Sequence, residues 1–200
     1  MKTGKKALLL ALCAVLLVAA TVMGTMAYLT AKATVTNTFT MGNVAMTMDE
    51  AKVDLNGVVI TGNEAGRGDN NTYKLMPGHA YTKDPTVHVA ANSENSWIFV
   101  KVDNQISAFE SKATDYVNIA AQIEAKGWKE LEAGVYYKEY TTAATVTDYV
   151  VFENFTIDSG AEKVTGWGSA TNKQVVITAY AIQKDGFPTA ADAWTVAKTL

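Results

Sequence analysis

Between Ala33 and Met41 apolar and polar residues alternate with a period of two, a pattern that only a half-buried β-strand uses well. Ala33, Val35, Phe39 and Met41 fall on one parity, and Thr34, Thr36, Thr38 and Thr40 fall on the other. Successive side chains of a strand point to opposite faces, so one face is apolar and the other is a threonine face turned to water. After Gly42-Asn43 the apolar parity switches to Val44, Met46 and Met48. A one-residue change of register exchanges the faces, which marks Gly42-Asn43 as a bulge or corner where the chain passes to another sheet.

The rest of the chain keeps this character. Asn56-Gly57 is a hairpin signal between Val53 and Thr61, residues 62–71 (GNEAGRGDNN) have loop composition, and Pro77-Gly78 marks a turn. Val87 and Val89, then Trp97 to Val102, Val135 to Tyr140, Tyr149 to Ile157 and Gln174 to Ile182 supply further strands. About eight or nine strands joined by polar turns predict a mostly β fold, a jelly-roll-like antiparallel β-sandwich with one or two short helices. The first helix is expected within residues 114–126, where Tyr116, Ile119, Ala120 and Ile123 recur at helical spacing and Gly127 is placed to end it. The second is expected from Thr189, which stands three residues before Asp192 at capping-box spacing.

Ahead of the strands lies a leader. Lys2, Lys5 and Lys6 precede an uncharged apolar run from Ala7 to Ala20, and Thr25-Met26-Ala27 follows as an A-x-A-like site. This layout predicts a signal peptide over residues 1–27, cut between Ala27 and Tyr28, and a single secreted domain over residues 28–200. The competing reading is a retained anchor, because the apolar stretch to Leu29 is long enough to cross a bilayer core of roughly 30 Å. A lipoprotein signal fits poorly, since Leu12 precedes Cys13 where a small residue belongs. Without the leader the chain has fourteen basic and twenty acidic residues, a formal charge of −6, and no cysteine. Such a balance gives a nucleic-acid backbone nothing to bind, and stability has to come from an apolar core rather than disulfides.

Little in the sequence points to catalysis. His79 and His88 are the only histidines, nine positions apart and outside any H-E-x-x-H pattern, so no catalytic residue, metal site or cofactor is expected. His79 reads as a turn residue and His88 as an outward-facing strand position. No G-x-S-x-G elbow or phosphate-binding glycine loop occurs. Arg67, Gly68 and Asp69 spell the tripeptide that many adhesive loops display, which keeps a secreted adhesin with a host-surface partner as an alternative. Trp97, Phe99, Tyr136, Tyr137, Tyr140, Phe152, Phe155 and Tyr180 all fall in expected strands, so they read as core rather than as a carbohydrate platform.

The leader junction Gly24-Thr25-Met26-Ala27-Tyr28-Leu29-Thr30, with Asn37-Thr38-Phe39-Thr40-Met41-Gly42-Asn43-Val44 after it, resembles the start of the TasA and camelysin group of surface and biofilm-matrix proteins from Gram-positive bacteria. These are exported with the specialised signal peptidase SipW. Leu75-Met76-Pro77-Gly78 with Lys83 is similar to that group's L-x-P-G turn and lysine, and Ala179-Tyr180-Ala181-Ile182-Gln183 with Gly186-Phe187 and Ala193-Trp194 is similar to its C-terminal segment. Ala31 departs from the common pattern of an acidic or asparagine residue there.

The resemblance implies processing by a SipW-type peptidase and a jelly-roll domain that self-associates into extracellular fibres by donor-strand exchange. It also implies, more weakly, a camelysin-like metallopeptidase, for which this chain offers no ligand set. The residues add a physical reason for the first reading. Cleavage after Ala27 frees residues 28–41 as an N-terminal donor-type strand, with Ala33, Val35, Phe39 and Met41 as the face that fills a neighbour's sheet. Before cleavage the leader is the only membrane contact expected, and no sortase attachment is expected because an L-P-x-T-G signal is absent.

Overall fold

A computed structural model describes residues 4, 6, 8, 11–18, 44–145, 147–168 and 173–200. The chain divides into two compact units, Met1–Met41 and Gly42–Leu200. In the first, residues 11–18 are helical and exposed. Among the described residues no helix is long and apolar enough to cross a membrane. The expected cleavage residues Thr25, Ala27 and Tyr28, and the expected donor face Ala33, Val35, Phe39 and Met41, lie outside the described residues.

The second unit is an antiparallel β-sandwich, as the strand and turn pattern predicts. Its strands are β1 (Met46–Ala51), β2 (Arg67–Gly68), β3 (Ala80–Thr82), β4 (Thr86–Val89), β5 (Ser96–Asn104), β6 (Lys129–Glu132), β7 (Val135–Tyr140), β8 (Asp148–Val150), β9 (Asn154–Thr156) and β10 (Val175–Gln183). Two short helices, α1 (Ile119–Ala125) and α2 (Ala190–Ala197), complete the body of the domain. One sheet runs β2-β1-β4-β8, the other β10-β5-β7-β6, and β3 pairs with β9.

Tyr149 to Ile157, expected as one strand, is divided into β8 and β9. The register between residues 80–89 and 148–156 nevertheless carries through unchanged, since Ala80 faces Thr156 and His88 faces Asp148. Lys83 N–H still donates to the Glu153 carbonyl and Val151 N–H to that of Pro85. The ladder breaks because Pro85 has no N–H to give.

The sheet containing β5 is covered on both faces. Ile98 and Val100 of β5 and Tyr136 and Tyr140 of β7 enter the main core with Val87, Val89, Phe152 and Phe155. The residues between them, Trp97, Phe99 and Val135, turn the other way onto Ala190, Ala193, Trp194 and Ala197 of α2. That is why β5 reads as an unbroken apolar run instead of an alternation. Six of the eight strand aromatics named above are buried, and Tyr137 and Tyr180 pack at the edge of the α2 cluster.

Helix α1 starts later than its periodicity implies. Asn118 caps it by accepting from Ala121 N–H, and Ile119 N–H donates to the buried Glu110 carboxylate, which also receives the Tyr116 hydroxyl. Tyr116 is thereby held in the preceding turn. Gly127, at φ 81°, ends the helix where expected.

Candidate functional site: an open sheet edge beside a groove

Strand β10 pairs with β5 over all nine of its residues, from Val175 opposite Asn104 to Gln183 opposite Ser96. Its other edge has no strand beside it among the described residues. The inward parity, Val175, Ile177, Ala179 and Ala181, packs on the main core yet stays only partly buried. One strand further in, Ile98 and Val100 are 0% exposed. On the facing sheet Met46 and Met48 of β1 are likewise only partly covered. Among the described residues the sandwich is therefore closed along its middle and less covered along the side of β10 and β1.

A groove of about 1160 Å³ occupies that side. Met48, Leu55, Leu75, Ile106, Phe155, Trp167, Val175 and Ile177 give it an apolar lining, and Glu50, Asn71, Lys83 and Lys173 give it polar points. Pockets for small molecules enclose roughly 300–1,000 Å³, so this open trench suits an extended chain better than a compact ligand. The N–H and C=O groups on the edge of β10 that has no strand beside it among the described residues are what such a chain would bond.

The polar point at Lys83 is built rather than incidental. Lys83 Nζ lies 2.6 Å from Glu50 Oε2, with the two side chains 11% and 6% exposed. Nζ also stands 5.9 Å from the Tyr73 ring centroid. Burial, reinforced by the nearby Glu50 charge, pushes the Tyr73 hydroxyl well above its ordinary range. Removing either partner of a buried pair leaves an uncompensated charge, so this pair fixes how β1 meets the β3–β4 connection.

Arg67 and Gly68 belong to β2, a short edge strand, where composition implies a loop; Asp69 follows it in an exposed bend. All three guanidinium nitrogens of Arg67 are engaged. Nε donates to Asp49 at 2.5 Å, Nη1 to Asp84 at 2.8 Å, and Nη2 to Thr86 and to the carbonyls of Asp49 and Asp84. The fork is thus committed inside the domain and is not held out toward a receptor.

His88 extends this cluster across the sheet. Its Nε2 is 2.9 Å from the same Asp49 oxygen, and its Nδ1 is 2.8 Å from Asp148. Hydrogen bonds to Asp49 and then to Asp148 raise its pKa above the usual 6.5. Burial works to raise the Asp49 carboxyl, but hydrogen bonds from Arg67 and His88 outweigh it and hold Asp49 below 3.8. The two ring nitrogens point apart, so the carboxylates do not converge on one point. Among the described residues no group of three or more His, Cys, Asp or Glu is set to hold a metal. His79 sits in its expected turn with Nε2 2.9 Å from the Asn56 carbonyl and its ring against Tyr81.

Sequence reasoning did not find this cluster or the groove. Arg67 meets Asp84 across seventeen positions and His88 meets Asp148 across sixty, and no local pattern marks pairs so far apart. No protein-family model matches the chain, and neither a curated protein nor a solved structure matches it.

Proposed function

We propose that this chain is a secreted structural subunit of the cell surface or biofilm matrix, and that it assembles into extracellular fibres by donor-strand exchange. The observation that carries the reading is the edge of β10, without a strand beside it among the described residues, next to a groove whose apolar lining is incompletely covered. The alternating segment Ala33 to Met41 supplies a complement in kind and in length, nine residues against the nine of β10. Val35 and Phe39 of one copy enter the trench of the next, and their backbone extends the β10-β5-β7-β6 sheet. Such a joint is head to tail and therefore grows into a filament. Export through the N-terminal leader and processing by a SipW-type peptidase supply the free segment, in keeping with the TasA-like motifs.

The test pairs donor with acceptor. Val35→Asp or Phe39→Asp, and separately Ile177→Asp on the groove wall, are each expected to abolish filaments in electron micrographs while the secreted monomer remains folded by circular dichroism. Filaments of normal length from both the donor and the acceptor variants overturn the reading. Mass spectrometry of the culture supernatant checks the premise, with a mature N-terminus at Tyr28 expected and an intact Met1 opposed to it.

A further inference from the structure

We propose that His88 is a pH-operated clasp across three strands, holding β8 to the sheet in acid and freeing its Asp148 end at alkaline pH. An ionised carboxylate only accepts, and a neutral imidazole has one N–H to donate. His88 has a carboxylate on each side, Asp49 of β1 at 2.9 Å and Asp148 of β8 at 2.8 Å. Both bonds exist together only when both ring nitrogens carry protons. The geometry is that of the imidazolium ion.

The charges facing this ring settle which bond goes on deprotonation. Asp49 keeps Arg67 of β2 as a partner, and Arg67 in turn keeps Asp84. Asp148 has a side chain that is 65% exposed, so water readily replaces the ring there. Asp49 therefore retains the remaining N–H, and the tie to β8 is the one released.

Strand β8 is held by Tyr149, which pairs with Val87 and packs against Trp128 and Lys138, so the end that can fray is the one residue before it, Asp148, together with Thr147. The strand is three residues long and, among the described residues, is the last of its sheet, beside β4. On the Thr147 side of His88 the ladder continues through Val89 N–H donating to the Thr147 carbonyl at 2.8 Å, and on the other side through the Val87–Tyr149 pair. The far end is firmer, because Val151 N–H donates to Pro85 and the Trp128 indole donates to the Val150 carbonyl. Loss of the His88 proton thus frays the Thr147–Asp148 end and uncovers the outer edge of β4, while Val150 and Val151 stay in place.

Two measurements on the purified full chain test this. In a proton NMR titration His88 is expected to titrate above 6.5, and the Asp148→Asn variant is expected to bring it down. In hydrogen exchange corrected for intrinsic pH dependence, protection of the Val89 amide is expected to fall above the His88 titration by roughly tenfold per pH unit of coupling to Asp148, with the Val151 amide unchanged. Asp148→Asn lies on the surface and is expected to remove that pH dependence without unfolding the domain. A His88 that titrates at the same pH in both proteins, or a Val89 amide equally protected on either side of the titration, overturns the proposal.

Discussion

A methyl group built at position 57 would lie 2.8 Å from both Cα and Cδ1 of Tyr81, and the backbone there has φ 74°. Only glycine satisfies both conditions, because other residues strain in the left-handed region and any Cβ strikes the strand below. The turn around it is organised by Asp54, whose carboxylate accepts from Asn56 and Val58 N–H while its carbonyl accepts from Gly57. Gly57→Ala is expected to destabilise the domain by about 1–3 kcal/mol from the backbone term alone, with the Tyr81 contact adding to it. Thermal melting against the parent protein measures the effect, and an unchanged midpoint would show that Tyr81 moves aside freely. Asn56-Gly57 was legible as a turn from two letters. What it is pressed against was not, since Tyr81 lies twenty-four positions further on and belongs to a three-residue strand with no alternation to announce it.

Elements were legible in proportion to how local their causes are. Helix α2 begins where its cap lies, with Thr189 Oγ1 accepting from Asp192 N–H and donating to the Asp192 carboxylate. Strand β7 occupies the expected residues, and β10 lies within a residue of its expected bounds at each end. Strand β6, reading Lys-Glu-Leu-Glu, was missed because its partner β7 makes it a strand and its own side chains barely do. The service α2 performs was also hidden. Trp194 packs tilted against Phe99 at 5.3 Å and edge-to-face against Tyr180 at 5.4 Å, and its indole N–H donates to Glu132 of β6, so it roofs three strands of one sheet. Trp194→Ala should cost about 3–5 kcal/mol, the usual penalty for deleting a buried tryptophan. Chemical denaturation reads this directly. A loss under about 1 kcal/mol would mean that α2 is an accessory and that the β5 sheet tolerates an uncovered outer face.

For the whole molecule, the ionisable groups impose a stability profile with three edges. Backbone N–H groups of Gly160 and Lys112 hold Asp158 below 3.8, and Asp49 is depressed as described above. A depressed carboxyl contributes stability above its unfolded value and loses it as pH falls through the folded value, so the acid edge begins near 3.8 and deepens below it. His88 is raised, and its sign is opposite: its contribution is complete below 6.5 and is lost as pH climbs through the higher folded value. Burial first of all raises the hydroxyls of Tyr73, Tyr81, Tyr116, Tyr136 and Tyr149, and their contribution is lost in the same direction once pH passes 10. Melting temperature is therefore expected to be highest between about pH 4 and 6.5, to step down as pH climbs above 6.5 through the raised His88 value, and to fall again beyond pH 10. His88→Gln should lower the plateau, erase the middle step and weaken the acid edge, because His88 helps to hold Asp49 low, while leaving the edge beyond pH 10 intact. Melts recorded across this range decide the matter, and a middle step that survives in His88→Gln would assign it to some other group and detach the sheet's pH response from the clasp.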